Sequence, residues 1–299
     1  MDRLYLMSVF VAVAEAESFA KAGRNLGLSP PAVTRAIATL EGKLGIRLLK
    51  RTTRVVRLTE AGARYLEDSR RIVAEVDEAD ESAAGISAAP RGQLQVTSPV
   101  IFGKIFIIPV ILEYLERHPA VNVNALFLDR VVNLVDEGID IAIRIGELPD
   151  SSLRATPVGT VRRIVVAAPI YLQQHGTPLH PSDLKSHRIV ASTGITPSPD
   201  WKFYESDKLI SVRVTPRLTV SSNEGAIAAV REGWGLTRLL SYQVAPHLKN
   251  NTLKTILRDY EPPSLPIHVV HGEGRRSTAK VRAFIDLVVE RLRADPALN

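Results

Sequence analysis

The sequence predicts an α/β protein in which a small helical module and a long helix precede a larger domain of alternating strands and helices. The chain has 299 residues, a length typical of about two domains. Hydrophobic residues make up 45% and charged residues 23%, which are ordinary values for a globular protein with a sizeable core. After residue 92, strand-like runs alternate with helical ones, and this order favours α/β layers with a largely parallel sheet.

The N-terminal module is basic and the segment after it is acidic. Residues 1–58 carry ten basic and four acidic side chains, whereas residues 59–90 carry three basic and eight acidic ones. The net charges of the two segments are therefore +6 and −5, against +6 for the whole chain. This asymmetry indicates an anionic polymer as the partner of the module, and an ordinary solvated surface is the other interpretation that the charges leave open.

The composition excludes several kinds of site. Cys is absent, which excludes disulfides, thiolate zinc sites, iron–sulfur clusters and a cysteine nucleophile, and agrees with a reducing compartment. The first twenty residues include Asp2, Glu15 and Glu17 and lack the basic start and apolar run of a signal peptide. No window approaches 18 uncharged apolar residues, so we expect a cytoplasmic protein with no membrane partner.

Residues 4–44 contain the pattern of three short helices. Apolar side chains recur with a helical period over residues 4–16. Ser18 is a suitable N-cap for a second helix over residues 19–26, and Ser29 for a third that reaches residue 44. Two short helices joined by a tight glycine-containing turn, after a supporting helix, predict a helix-turn-helix over about residues 19–38.

The third helix of this motif offers an outward face. Pro30 and Pro31 stand in its first turn, where the missing N–H groups are not needed. Val33 is expected to point inward, as is Ala22 on the second helix, while Thr34 and Arg35 point outward near the start of the third helix.

A basic hairpin is predicted directly after the three helices. Leu48, Leu49, Val55, Val56 and Leu58 form two short strands around the turn 51–54. Arg and Thr at its tip are suited to contact phosphates or a minor groove. We therefore expect a wing beside the helix-turn-helix.

Thr59 is a plausible N-cap for a long linker helix. One side of this helix carries residues spaced four and three apart, a weak heptad seam. The seam consists of Tyr65, Ser69, Ile72, Val76, Ala79, Ala83 and Ile86. A coiled coil with a second chain and an amphipathic helix packed on its own domain both agree with the pattern. Residues 88–92 are typical of a hinge.

The remaining chain is predicted to alternate strands with helices. Strands are expected at 94–97, 121–128, 140–145, 163–168, 188–191, 218–220 and 267–271. Helices are expected at 98–117, 131–137, 169–175, 223–232 and 278–293.

Polar residues at the ends of these strands form the candidate effector site, because open α/β sheets bind ligands beyond the carboxyl ends of their strands. Hydroxyls near helix starts suit a carboxylate or another polar head group. N-capping is the alternative role for each hydroxyl, core packing for each aromatic, and pairing with Asp140 or Asp129 for Arg144. The candidate residues are Thr97, Ser98, Phe102, Arg144, Gly146, Thr193, Asn223 and Trp234, with Phe102 and Trp234 as an apolar wall.

Catalytic and metal-binding patterns are missing from the sequence. It has no GxSxG, HExxH, P-loop or GxGxxG motif, and its seven histidines are scattered. His268 and His271 fall on opposite faces of a predicted strand, which argues against a shared metal. We therefore predict no catalytic residue, no metal and no cofactor.

Three segments resemble the LysR family of transcriptional regulators. Residues 40–62, which read LEGKLGIRLLKRTTRVVRLTEAG, resemble the family signature, and residues 28–37, LSPPAVTRAI, resemble its recognition helix. Residues 18–20 resemble the start of its second helix. Pro30 stands where many members carry Gln, which puts a polar base contact from this position in question. Leu49 replaces a common Phe, a change of packing.

The resemblance covers the whole chain and implies its organisation. It implies a winged helix-turn-helix at 1–59, an antiparallel dimerisation helix at 60–89 and an effector-binding domain at 92–299. This last domain resembles periplasmic solute-binding proteins, with lobe I at 92–162 and 267–299 and lobe II at 163–266. The implied DNA-contacting residues are Ser18, Ser29, Pro30, Pro31, Ala32, Thr34, Arg35, Arg51, Thr53 and Arg54.

The function that the resemblance implies is ligand-responsive regulation of transcription. The implied partners are double-stranded promoter DNA, a small-molecule effector such as a carboxylate, and further copies of the chain in a homodimer or homotetramer. Such a protein is not an enzyme and associates with the bacterial nucleoid. A solute-binding protein, which needs export, and a two-lobed α/β enzyme, which needs a catalytic group in the cleft, are the competing interpretations.

Overall fold

The computed structural model divides the chain into two compact units, Met1–Ala88 and Ala89–Asn299. It describes residues 2–51, 56–83, 89–130, 132–134, 136–148, 153–193, 199–272 and 278–298. Among these residues, none of the helices combines the length and the apolar character needed to cross a membrane.

The N-terminal unit contains the predicted helix-turn-helix and wing. Its helices are α1 (Arg3–Ala16), α2 (Phe19–Leu26), α3 (Pro30–Leu44) and α4 (Glu60–Ala83), and its strands are β1 (Leu49–Arg51) and β2 (Val56–Leu58). Ala22 and Val33 are fully buried, as predicted, in a core that α1 shares with α3. This packing turns the opposite side of α3 to solvent.

The N-termini of α2 and α3 are capped differently, the first by a side chain and the second by the backbone. The Ser18 hydroxyl accepts a hydrogen bond from the Lys21 amide (3.3 Å) and caps α2 as predicted. Ser29 occupies the N-cap position of α3, but its side chain makes no capping bond, so the predicted hydroxyl cap is wrong. Pro30 and Pro31 have no N–H to donate, and the Ala32 amide donates to the Ser29 carbonyl instead (2.9 Å).

The wing and the linker helix are joined by Thr59. Its hydroxyl donates to the Arg47 carbonyl (2.8 Å) and accepts from the Gly62 amide (2.9 Å), which confirms the predicted cap of α4. β1 and β2 pair antiparallel, with Leu49 opposite Leu58. Residues 52–55, which include most of the predicted turn 51–54, lie outside the described residues.

The first half of α4 packs on its own unit. The Tyr65 ring lies 5.6 Å from the ring of Phe10, Ser69 is fully buried, and Arg70 pairs with Glu15 (3.0 Å). The first members of the predicted heptad seam therefore face α1. α4 is described to Ala83, and the seam residue Ile86 lies outside the described residues.

The C-terminal unit has two five-stranded sheets. The first is built from β3 (Gly92–Ser98), β4 (Val121–Phe127), β5 (Ile141–Ile145), β6 (Leu153–Val161) and β14 (Leu265–Gly272). The second is built from β7 (Arg163–Ala167), β8 (Ile189–Ser192), β11 (Pro216–Val220), β12 (Leu236–Leu240) and β13 (Lys254–Ile256). The strand order is β4-β3-β5-β14-β6 in the first sheet and β11-β8-β12-β7-β13 in the second. The hairpin β9 (Asp200–Glu205) and β10 (Lys208–Arg213) lies beside the second sheet.

The predicted largely parallel sheet is wrong. Each sheet has two parallel and two antiparallel strand pairs, because β14 in the first sheet and β7 in the second run against their neighbours. Both strands lie where the chain crosses from one sheet to the other. A strand that arrives by such a crossing need not follow the direction set by the β-α-β units.

Helices cover the sheets, largely as the sequence predicts. They are α5 (Val100–Phe102), α6 (Ile108–Arg117), α7 (Pro169–His175), α8 (Asn223–Arg231), α9 (Ser241–Lys249) and α10 (Ala279–Ala294). A π-helical segment, Gly103–Ile107, joins α5 to α6. The helix predicted for 131–137 is wrong, because the described residues between 132 and 138 include turns and no helix.

Candidate functional sites

The exposed surface of α2 and α3 is the candidate DNA-contacting surface. Pro30 and Pro31 are exposed in the first turn of α3, and Arg35 is exposed one turn further on. Thr34 and Ala32 are half-buried between them. The described part of the chain contains no acidic partner within ion-pair distance of Arg35. The guanidinium is therefore available for an external acceptor.

A carboxylate fixes the wing against the third helix. One oxygen of Glu41, near the end of α3, accepts hydrogen bonds from the amides of Leu48 (2.8 Å) and Leu49 (3.0 Å). Leu48 is fully buried and Leu49 is 4% exposed, so these amides have little access to water. Sequence reasoning missed this role of Glu41, whose only local signal is an acid within a basic segment.

The wing supplies further positive charge. Arg47 is exposed just before β1, and Lys50 is exposed within it. Arg51 is the last residue of β1, while Thr53 and Arg54 lie outside the described residues. Ser18 uses its hydroxyl to cap α2, and Ser29 is exposed just before α3.

Thr97, Ser98 and Phe102 are part of the protein interior. The Thr97 hydroxyl donates to the Leu126 carbonyl (2.7 Å), and the Ser98 hydroxyl to the Pro99 carbonyl (3.3 Å). All three residues are fully buried, and the Phe102 ring packs edge-on against Tyr242 with the ring centres 5.3 Å apart. Their hydroxyls and ring therefore serve the local structure.

The remaining strand-end residues are also engaged locally. Arg144 donates to the Val132 carbonyl (3.0 Å), and burial lowers its pKa. Gly146 follows β5 in a bend. The exposed Thr193 donates weakly to the Val220 carbonyl (3.4 Å), and Trp234 lies 6.0 Å from the Arg188 guanidinium.

The two acids considered as partners of Arg144 have other roles. Asp140 accepts a hydrogen bond from the Gln95 amide (2.8 Å), and Asp129 accepts one from the Val100 amide (3.0 Å). Asp129 therefore lies at the start of α5, and the Arg144 guanidinium bonds to the backbone.

A cavity of about 370 Å³ opens in the second sheet. β8 and β12 pair at one position, Ile189 with Leu236, and then separate toward their carboxyl ends. The separated strands leave room between Val190–Ser192 and Thr237–Leu240. The lining residues are Arg163, Val190, Ala191, Ser192, Pro199, Trp201, Val214, Pro216, Thr219, Asn223, Thr237, Arg238, Leu239, Leu240 and Gln243.

Asn223 is the member of the predicted effector set that lines this cavity. It is 5% exposed and is the first residue of α8, whose N-cap Ser222 accepts from the Gly225 amide (3.1 Å). Gln243 lies nearby and accepts a hydrogen bond from the Leu240 amide (2.9 Å). The carboxyl ends of the strands thus do contain a pocket, and it shares Asn223 with the predicted set, while its other lining residues were not predicted.

Two arginines give the cavity its charge. Arg163 and Arg238 are partly buried, and the Arg238 guanidinium lies 4.7 Å from the centre of the Trp201 ring. Burial, together with repulsion from Arg163, lowers the pKa of Arg238 to about 9, so it remains protonated at neutral pH. Burial also lowers the pKa of Arg163. Sequence reasoning missed both, although an arginine inside the apolar run of β12 was a usable signal.

The histidines do not assemble a metal site in the described part of the chain. No group of three His, Asp or Glu side chains there has a metal-binding arrangement. His271 is buried and its ring bonds to the Gly272 carbonyl (2.9 Å).

Comparison with protein families gives two matches along the chain. Residues 4–63 match the family described as "Bacterial regulatory helix-turn-helix protein, lysR family". Residues 87–293 match the family described as "LysR substrate binding domain".

Proteins named as transcriptional regulators match over nearly the whole chain. An HTH-type transcriptional regulator of Xanthomonas campestris is 33% identical over 291 residues, which are 96% of this chain and 85% of that protein. The regulator CrgA of Neisseria meningitidis is 31% identical, and its solved structure has a TM-score of 0.62 with 96% of this chain and 98% of that chain covered. The structure of the Vibrio cholerae virulence activator AphB is 26% identical, with a TM-score of 0.62 and coverages of 97% and 99%.

Proposed function

Because this chain belongs to the LysR family of bacterial transcriptional regulators, we propose that it binds promoter DNA through α3 and the wing, under the control of a small molecule bound by its C-terminal unit. The observation that carries the proposal is the presence in one chain of a matched helix-turn-helix and a matched substrate-binding domain. Its relatives are transcriptional regulators, which favours this function over a solute-binding protein or an enzyme.

Base recognition is assigned to the exposed start of α3. An arginine in the major groove can donate two hydrogen bonds to one guanine. Arg35 is exposed and has no ion-pair partner among the described residues, which supports this role. The proposed contact set is Ser18, Ser29, Pro30, Pro31, Ala32, Thr34, Arg35, Arg51, Thr53 and Arg54, in which the wing residues contact phosphates or the minor groove.

The effector is assigned to the cavity between β8 and β12. Its volume is in the range of small-molecule pockets, and it combines apolar walls with a few polar groups. We assign Asn223 to ligand contact. The other strand-end residues, which include Thr97, Ser98 and Phe102, support the fold around it. A carboxylate is the ligand class that the cavity favours. Binding of this effector shifts the population of conformations that bind the promoter.

Self-association is part of the proposal. Ile105, Ile108 and Leu112 are 40%, 37% and 58% exposed and follow one another at helical spacing along the segment 103–117. Such a stripe is suited to an interface with a second copy. We propose a homodimer that pairs further into a homotetramer on DNA, in the compartment of the bacterial nucleoid.

A DNA-binding assay tests the proposed function. Fluorescence anisotropy is measured with the region upstream of the protein's own gene and with random DNA of the same length, at one salt concentration. We expect the upstream DNA to bind at least tenfold more tightly. Equal affinity for the two DNAs would contradict sequence-specific regulation by this chain.

A further inference from the structure

Arg163 and Arg238 are adjacent on one face of the second sheet. β7 and β12 are neighbouring antiparallel strands, in which Arg163 pairs with Leu240 and Arg238 with Val165. Side chains two positions apart on a strand point to the same face, so the two arginines are diagonal neighbours. Both line the cavity.

Neither guanidinium is neutralised within the described structure. No acidic side chain described there lies within ion-pair distance of Arg163 or Arg238. One terminal nitrogen of Arg238, Nη1, is buried and has no hydrogen-bond partner there. Residues 194–198, which link β8 to β9, read Gly-Ile-Thr-Pro-Ser and contain no acid. Two like charges thus share a partly buried site, and the described part of the chain supplies no counter-ion for them.

Such an arrangement is unfavourable unless something else supplies negative charge. A buried charge without a partner destabilises a protein, and a second charge of the same sign adds repulsion. Guanidinium groups bind carboxylates and phosphates through paired hydrogen bonds, which are stronger when water is excluded. The unpaired nitrogen of Arg238 is a donor for such a bond.

The remaining cavity walls indicate that the bound anion has an apolar group attached to it. Val190, Val214 and Leu239 line it with apolar surface, and Trp201 presents an aromatic ring beside Arg238. An inorganic ion satisfies the arginines alone, whereas an organic acid also covers this apolar surface.

We infer that the cavity binds a small organic acid whose anionic group is held jointly by Arg163 and Arg238 and whose apolar part lies against Trp201 and Val214. This inference rests on the effector role proposed above and assigns the residues that hold the anionic group and the apolar part of the effector. We therefore expect removal of either arginine to abolish the response to the ligand while the protein still folds.

Thermal unfolding of the 299-residue chain tests the inference with three probes: benzoate, its neutral analogue benzamide, and inorganic phosphate. We expect both anions to raise the unfolding midpoint, benzoate more than phosphate at equal concentration, and benzamide to leave it unchanged. Equal stabilisation by benzamide and benzoate would overturn the inference, as would the failure of both anions up to millimolar concentrations.

Two variants locate the site. Arg163→Met and Arg238→Met keep the apolar stem and remove the charge, and we expect each to weaken benzoate binding at least tenfold. Arg217→Met is the matched control, because Arg217 is exposed on β11 and is not among the cavity-lining residues. Retention of the benzoate response in both arginine variants would place the site elsewhere.

The stability of the same variants without ligand separates binding from a structural role. We expect Arg238→Met to unfold at the same temperature as the wild type or a higher one, because an uncompensated charge has been removed. A lower midpoint would assign Arg238 to the structure and overturn the inference. Binding of upstream and random DNA is measured on the same samples. If the wild type prefers the upstream DNA but no anion stabilises it, only this inference fails. If the wild type binds the two DNAs equally, the proposed function is refuted.

Discussion

Replacing Glu41 by alanine tests how the wing is held against α3. One oxygen of Glu41 accepts hydrogen bonds from the amides of Leu48 and Leu49, at 2.8 and 3.0 Å. A hydrogen bond to a charged group contributes about 1.5–3 kcal/mol. Because both bonds share one oxygen, we expect Glu41→Ala to lower the free energy of unfolding of the N-terminal unit by about 2–4 kcal/mol. Glu41→Gln keeps an oxygen acceptor and should lower it by about 1 kcal/mol.

The chain allows the two units to be followed separately in one urea titration. Its only tryptophans, Trp201 and Trp234, belong to the C-terminal unit, so their fluorescence reports that unit alone. Far-ultraviolet circular dichroism also follows the helical N-terminal unit. We expect Glu41→Ala to move the transition seen by circular dichroism to a lower urea concentration and to leave the transition seen by tryptophan fluorescence unchanged.

A surface carboxylate provides the control for Glu41. The side chain of Glu67 is 74% exposed and pairs with Arg70 at 3.1 Å. Exposed pairs of this kind contribute at most about 1 kcal/mol, so Glu67→Ala should change little. The reasoning is refuted if Glu41→Ala lowers the stability no more than Glu67→Ala does, or if it shifts the tryptophan transition.

Three further predictions concern the wing, two glycines and one histidine. Arg51→Ala combined with Arg54→Ala should flatten the slope of log affinity against log salt by about 0.9 for each lost phosphate contact, and an unchanged slope would exclude the wing from the DNA interface. A Cβ on Gly235 would lie 2.4 Å from the Arg188 carbonyl oxygen, so Gly235→Ala should destabilise the C-terminal unit. A Cβ on Gly42 would meet no atom within 4 Å, so Gly42→Ala should stabilise α3 by up to about 1 kcal/mol. Urea unfolding measures both changes. His187 bonds to the Tyr171 hydroxyl (3.1 Å), and burial lowers its pKa, so the unfolded chain takes up the proton at a higher pH than the folded chain does. The free energy of unfolding should therefore fall as the pH drops below about 6.5. His187→Asn should reduce this loss when unfolding is followed by tryptophan fluorescence at pH 7 and at pH 5.

Local chemistry explains why the N-terminal unit could be predicted from the sequence. The Ser18 cap and the prolines of α3 act within a few residues of their own positions, and the burial of Ala22 and Val33 follows from helical period. Glu41 was missed because its partners, Leu48 and Leu49, become neighbours only when the wing folds back on α3.

The cavity could not be predicted from the sequence, because it arises from contacts between segments that are far apart in the chain. It exists because β8 and β12 separate after a single paired position, and this depends on the topology of the whole sheet. Phe102 and Ser98 were predicted at a strand end next to a ligand, but both are fully buried, and the Phe102 ring packs against Tyr242 of α9. Arg238 was overlooked because it lies inside an apolar strand, where its guanidinium reaches the cavity beside Trp201.

The most direct test of the account is the affinity of wild type and Arg35→Ala for the upstream DNA and for random DNA, measured by anisotropy at one salt concentration. An arginine that reads a base contributes about 1–3 kcal/mol on the specific site, and a mere phosphate contact weakens binding uniformly. We expect Arg35→Ala to lose roughly tenfold or more in affinity for the upstream DNA and far less for random DNA. Equal losses on both DNAs, or no loss on either, would contradict base recognition by the exposed face of α3.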